Sequence, residues 1–167
     1  AGGVGQIFCQ WAKSLGCKVI GTVGSDEKKD IAKKFGCSEV INYSKEDFQK
    51  KIMEITNGEG LPVVYDGVGK ITMEKSLACL KMRGTFVSFG NASGKLDPVD
   101  VGKLISPKGL YLTRPSIAHY TSTREELDEA AKKVFEMYVT KKFTLNIFKE
   151  YALKEIVKAH EDLENRK

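Results

Sequence analysis

Histidine is scarce in this chain: His119 and His160 are the two among 167 residues. Zinc sites draw on histidine and closely spaced cysteine. Here Cys9, Cys17, Cys37 and Cys79 form no C-x-x-C pair and have no histidine beside them in sequence. Metal binding is therefore not expected, and buried free thiols in a reducing compartment are. His160 shares a helical face with Ile156 and Leu163, which packing explains better than catalysis. No apolar run approaches the roughly 18 residues of a transmembrane helix, and no secretory leader is visible. No internal repeat or low-complexity linker divides the chain. No aromatic-rich basic motif accompanies the net charge of +5, which comes mostly from lysine pairs such as Lys28-Lys29, Lys33-Lys34 and Lys132-Lys133. These lie among Glu and Asp and read as solvated helix faces rather than a nucleic-acid surface.

Glycine, by contrast, is placed with purpose. The chain opens on Ala1-Gly2-Gly3-Val4-Gly5 and runs straight into an amphipathic pattern of Val4, Ile7, Phe8, Trp11, Ala12 and Leu15, stopped by Gly16. In the dinucleotide fingerprint G-x-G-x-x-G the second glycine lets the backbone approach the pyrophosphate, and the third lets helix and strand pack closely. Gly2 and Gly5 have that spacing, and the first position falls before residue 1, as does the strand that would precede it. Gly3 and Val4 then offer backbone N–H groups at the positive end of the helix. The bland alternative is a glycine-rich turn before an ordinary helix.

Lys18 to Val23 reads as the next strand, ending in Gly24-Ser25-Asp26-Glu27-Lys28. An acidic residue at this junction would bind a ribose hydroxyl of NAD, or of S-adenosylmethionine in a methyltransferase. Val23, Gly24 and Ser25 stand there instead, with Lys28 one turn on, and a hydroxyl with an ammonium suits a 2′-phosphate. NADP is favoured over NAD. Asp26 and Glu27 are explained as first-turn acids complementing a helix dipole behind an N-cap at Ser25.

Short apolar strands and amphipathic helices then alternate. Val40–Tyr43, Pro62–Asp66, Thr85–Phe89 and Leu110–Leu112 read as strands. One helix carries Phe48, Ile52 and Ile55 behind a candidate cap at Ser44, and another carries Met73, Leu77 and Leu80. This is the pattern of an α/β fold with a Rossmann-type, doubly wound parallel sheet, here lacking its first strand. A ligand should lie across the carboxyl ends of the strands. Tyr43 there either flanks the adenine–ribose end of a cofactor or is an amphipathic edge residue. Asp66 is read as a cap on the turn Gly67-Val68-Gly69 rather than as a general base.

The segments Gly2-Gly3-Val4-Gly5, Cys9-Gln10-Trp11-Ala12-Lys13, Ile20-Gly21-Thr22-Val23-Gly24, Val40-Ile41-Asn42-Tyr43, Val64-Tyr65-Asp66-Gly67-Val68-Gly69, Ser88-Phe89-Gly90-Asn91, Thr113-Arg114-Pro115-Ser116 and Thr123-Arg124-Glu125-Glu126-Leu127 occur in that order. Together they resemble the NADPH:quinone oxidoreductase (zeta-crystallin-like) branch of the medium-chain dehydrogenase/reductase superfamily, over nearly the whole chain. The resemblance implies pyrophosphate contacts at Gly3 and Val4, and a 2′-phosphate pocket at Gly24, Ser25 and Lys28 with Tyr43 beside it. It implies positions nearer the nicotinamide at Val68, Phe89, Gly90, Asn91 and the Pro115-Ser116 turn. It also implies NADPH as cofactor, no zinc, a quinone substrate, a cytoplasmic setting and a homodimer, which suits a sheet edge near Leu110-Tyr111-Leu112.

Such enzymes place a catalytic domain before the cofactor domain. Residues 1–167 are thus expected to be an NADP-binding Rossmann-type domain fragment. The N-terminal catalytic domain is expected to be absent, as is the C-terminal return segment beyond Asn165-Arg166-Lys167. No residue is nominated as catalytic, hydride transfer is expected of the full-length parent, and the fragment is expected to be less stable. Alternatives are a 2-alkenal or enone reductase of the same superfamily, and an RNA-binding or structural crystallin-like role. A methyltransferase ranks below both.

Overall fold

Helix α1 (Gly3–Ser14) begins after Gly2, whose backbone is extended, and stops where Gly16 takes the left-handed conformation at φ 81°. The computed structural model describes residues 2–165. Ala1 of the glycine cluster, and Arg166 and Lys167 at the expected return point, lie outside the described residues. Beyond α1 the chain alternates β1 (Ile20–Val23), α2 (Glu27–Lys34), β2 (Glu39–Asn42), α3 (Phe48–Ile55), β3 (Leu61–Asp66), α4 (Met73–Ala78) and β4 (Leu80–Ser88). A π-turn at Val101–Ile105 and a 3-10 turn at Ser106–Lys108 lead to β5 (Tyr111–Thr113). Three helices follow: α5 (Ile117–Tyr120), α6 (Arg124–Val139) and α7 (Ile156–Glu164).

All pairings among the described strands are parallel, and they fall into two sheets, β1-β2 and β3-β4-β5. A doubly wound sheet has the order 3-2-1-4-5-6. Withholding its strand 1 leaves a pair and a triplet, which is the observed arrangement. Thus β1 and β3 each keep one edge without a strand partner among the described residues. What joins the halves is apolar packing. Ile41, Phe48, Ile52 and Cys79 form one buried cluster on which Ile20 of β1 and both Leu61 and Val64 of β3 rest. A second cluster of Met73, Leu77, Leu80, Phe86 and Leu110 lies over β3-β4-β5. Pro62 cannot donate to a ladder, and the β3–β4 register slips there, from Leu61↔Leu80 to Val63↔Thr85. Arg83 absorbs the extra residues at φ 57°.

Several expectations need correction. Leu80 does pack with Met73 and Leu77, but it opens β4 rather than closing the helix. Ser44 does not cap α3. Asp47 does, accepting the N–H groups of Gln49 and Lys50, so three further residues lie before the helix. The N-cap of α2 is Asp26 rather than Ser25. Phe89 falls just outside β4, with its N–H donated to the Asp66 carbonyl. The thiols are not uniformly buried: Cys37 and Cys79 are, Cys9 is half-buried and Cys17 is exposed. His160, Ile156 and Leu163 share α7 but none is buried among the described residues. No described helix is long and apolar enough to cross a membrane.

Candidate functional site

The carboxyl end of β1 is organised by the residues that follow β2. Ser44 donates its hydroxyl to the Gly24 carbonyl (2.9 Å), and Tyr43 donates its N–H to the Val23 carbonyl (3.0 Å). The Tyr43 ring lies so close to Gly24 that an added Cβ would sit 2.9 Å from its hydroxyl oxygen. Asp26 points toward the same β2 end. It accepts from the Asn42 amide at 2.8 Å and pairs with Lys45 and Lys29. These partners, the Asn42 hydrogen bond first and Lys45 next, hold the Asp26 carboxyl down at about 2. Glu27 is lowered as well, chiefly by a hydrogen bond from the Ser25 side chain. Lys29 also bonds Glu46 (3.0 Å), whose carboxylate accepts the Asn42 N–H (3.2 Å).

This network separates three neighbouring lysines. Lys29 and Lys45 are bound to carboxylates, whereas half-buried Lys28 has no ion-pair partner among the described residues. The Tyr43 hydroxyl likewise has no described hydrogen-bond partner. Lys28 in the first turn of α2 and the Tyr43 hydroxyl beside Gly24 are thus donors without a described acceptor, and Asp26 is held by Asn42, Lys45 and Lys29. That donor set suits a phosphate, which takes charge-assisted hydrogen bonds.

At the other half of the sheet, Asp66 is the centre. Its carboxylate is buried and accepts four bonds: Val68 N–H (2.8 Å), Gly69 N–H (2.9 Å), Thr72 hydroxyl (2.7 Å) and Ser76 hydroxyl (2.8 Å). The capping role read from the sequence holds, and extends into the start of α4. The loops after β3 and β4 are pressed together without room for side chains. A Cβ on Gly67 would lie 2.8 Å from the Phe89 ring, and one on Gly90 would lie 2.6 Å from the Gly67 carbonyl oxygen. Ser93 closes the contact, donating its N–H (2.7 Å) and hydroxyl (2.8 Å) to the Val68 carbonyl. Arg114, after β5, reaches the buried Ser88 hydroxyl (3.1 Å) and the Asn91 side-chain oxygen (3.2 Å). Val68, Phe89, Gly90 and Asn91 thus lie in the joined loops after β3 and β4, and Pro115 and Ser116 follow Arg114 in the chain beyond β5.

The glycine cluster forms a third part. An added Cβ at Gly2, Gly3 or Gly5 would meet nothing within 4 Å. For Gly2 and Gly3 this leaves the helix mouth open, with first-turn amides that no intrahelical bond can satisfy. For Gly5 it differs from the expected close packing on a strand, because no described strand lies there. No side chain caps α1.

Sequence reasoning missed the residues that hold this frame: Asn42, Lys45 and Ser44 on the Gly24–Asp26 loop, Ser93 on Val68, and Arg114 across Ser88 and Asn91. Two further residues, beneath Asp66, could have been found. Thr72 and Ser76 stand one helical turn apart directly behind the Asp66 turn, a hydroxyl face aimed at a carboxylate. Among the described residues no group of three or more His, Cys, Asp and Glu could hold a metal ion.

Known proteins resemble this chain in sequence and in fold. Quinone oxidoreductase 1 of Escherichia coli is 48% identical over 168 residues, covering 99% of this chain and 51% of that protein. A 2-haloacrylate reductase of a Burkholderia species is 43% identical, covering 99% and 50% respectively. The crystal structure of Escherichia coli quinone oxidoreductase complexed with NADPH superposes with a TM-score of 0.94 at 48% identity, over 99% of this chain and 52% of that one. The chain thus spans about half the length of the relatives it matches. The family model described as zinc-binding dehydrogenase matches residues 3–136, and this chain belongs to that family, with the Rossmann-type fold of the quinone oxidoreductases.

Proposed function

We propose that this chain is the NADPH-binding domain of an oxidoreductase that reduces quinones. The carrying observation is that the Lys28 ammonium, in the first turn beyond β1, and the Tyr43 hydroxyl have no partner among the described residues, while Asp26 is neutralised by Lys45, Lys29 and Asn42. Gly24 keeps the Tyr43 ring close, and Ser25 completes that donor set. A 2′-phosphate is the group such a set takes and a bare ribose is not. The amides of Gly3 and Val4, at the mouth left open by Gly2 and Gly3 in the glycine cluster 2–5, carry the pyrophosphate at the N-terminus of α1. Val68, Phe89, Gly90, Asn91, Pro115 and Ser116 orient the nicotinamide end, with Asp66 as the positioning residue beneath them.

When bound, the reduced nicotinamide supplies the hydride, and the electrophile is a quinone. The chain's own part is to hold, orient and keep water from one face of the ring, and no residue in it is assigned proton transfer. The family description names zinc, but the described residues do not fit that ion, and no step runs through it. In the proposed domain plan residues 1–167 are the cofactor domain, and a separate catalytic domain of the whole protein forms the other wall of the substrate cleft. Likeness to a 2-haloacrylate reductase supports activated alkenes as the second substrate class. The exposed edge of β5 supports a homodimer through strand pairing, and four free cysteines suit the cytoplasm.

The test is titration with NADPH and, separately, NADH, followed by nicotinamide fluorescence. NADPH should bind at least about tenfold tighter, the worth of roughly one charge-assisted bond, and Lys28→Ala should erase the difference. Equal binding of the two cofactors by the unmodified protein would remove the reading.

A further inference from the structure

Cys9, in the second turn of α1, and Cys37, in the turn from α2 into β2, are 28 positions apart in sequence and 3.5 Å apart between sulfurs. Backbone packing brings them there. A Cβ on Gly36 would lie 3.0 Å from the Cys9 carbonyl oxygen, so the bare glycine, at φ 109°, admits the helix this closely. On the other side a Cβ on Gly21 would lie 2.7 Å from the Cys37 sulfur, so a second glycine makes room for the thiol. Cys37 is buried and Cys9 half-buried, so Cys9 is the less enclosed residue of the pair. Neither thiol takes part in the strand-end network.

We propose that Cys9 and Cys37 are a redox-modification site, oxidised by a hydroperoxide to a disulfide and restored by a dithiol. The two sulfurs have different parts. Cys37 donates its S–H to Cys9, which lowers the Cys9 thiol and raises the Cys37 thiol. Cys9, the less buried of the two, is the sulfur that meets the peroxide and attacks as its thiolate. Its sulfur bonds to the terminal peroxide oxygen, the O–O bond breaks, and the departing oxygen leaves as water or alcohol after taking a proton. Cys9 is then a sulfenic acid. Cys37 loses its proton as its sulfur attacks Cys9, the S–O bond breaks, and water leaves. Two thiols have lost two electrons and two protons, and the hydroperoxide has gained them. Bringing the sulfurs from 3.5 Å to a bond of about 2.05 Å asks for a shift on the order of 1.5 Å, within reach of a helix with no fully buried residue. The bond would tie α1, which begins at the glycine cluster, to the α2–β2 turn, and would enclose β1 and the Gly24–Lys28 loop.

The test exposes the full chain briefly to hydrogen peroxide, alkylates the remaining thiols and maps peptides by mass. The expected result is a Cys9–Cys37 cross-linked peptide lighter by two hydrogens, with Cys17 and Cys79 alkylated and both cysteines recovered by dithiothreitol. Cys17→Ser should cross-link like the parent. Cys37→Ala should not, and its Cys9 should alkylate several-fold more slowly at neutral pH, having lost the S–H donor. A disulfide through Cys17 or Cys79, or Cys9 over-oxidised while Cys37 remains alkylatable, would overturn the proposal. The parent's own peptide map decides the matter even if Cys37→Ala does not fold.

Discussion

Replacing Asp66 by alanine and by asparagine should give two clearly separated losses of stability. Asp66→Ala deletes an acceptor of four hydrogen bonds. The Thr72 hydroxyl has a fallback in the Gly69 carbonyl at 3.2 Å, and the Val68 amide is only half-buried and can reach water. The Gly69 amide and the Ser76 hydroxyl have neither escape, and each orphaned buried donor costs roughly 1–3 kcal/mol. With the lost charge-assisted bonds the total is about 3–5 kcal/mol, a large share of the stability of an ordinary domain. Asp66→Asn keeps an oxygen for the two amides and places an NH₂ against two hydroxyls that can rotate to accept, so about 1–2 kcal/mol should go. Urea unfolding followed by tryptophan fluorescence measures both, provided the slope m is unchanged between variants. The reasoning is refuted if asparagine costs as much as alanine, or if alanine costs under about 1 kcal/mol.

Glycine variants should divide by what the new Cβ meets. Gly90→Ala places it 2.6 Å from a backbone carbonyl and should cost roughly 2–4 kcal/mol, whereas Gly24→Ala meets the movable end of Tyr43 and should cost under about 1 kcal/mol. Thermal unfolding ranks the two, and Gly24→Ala should show its loss in NADPH affinity instead. The Asp26 carboxyl is lowered from 3.8 to about 2 in the fold, so its contribution is full above 3.8 and disappears as pH falls through about 2. Asp26→Asn should therefore flatten the stability-versus-pH curve across that acid window and leave its alkaline limb unchanged. Thr123 and Glu126 form a reciprocal capping box on α6, and Thr123→Ala should cost about 1 kcal/mol and speed amide exchange in the first turn of that helix.

The alternation of elements was readable because each rests on neighbours in sequence. The period of Phe48, Ile52 and Ile55, the apolar run before Asp66 and the glycine after α1 act within a turn or two of themselves. The Asp66 turn was legible for the same reason, since its first two donors are the amides of Val68 and Gly69. Errors came where a polar side chain had a partner other than the helix amides it was expected to cap. Ser44 and Ser25 resemble helix caps locally, but the Ser44 hydroxyl goes to Gly24, 20 positions away, and the Ser25 side chain goes to Glu27. Leu80 fits the helical period, yet it pairs with Leu61 as a strand residue.

The chain's own pattern determined the fold class, the positions of the glycine turns and which strand ends should face a ligand, because steric limits and hydrophobic period act on a few residues at once. Tertiary structure alone decided which charges are free there. Lys28 and Lys29 are adjacent in sequence, and the approach of β2 to the end of β1 ties Lys29 to Glu46 and Lys45 to Asp26 while Lys28 keeps no ion-pair partner among the described residues. The same approach of distant segments, α1 onto the α2–β2 turn, turns two unremarkable cysteines into a pair. Charge pairing and thiol contact act over a few ångströms, and only the folded chain sets which groups come that near.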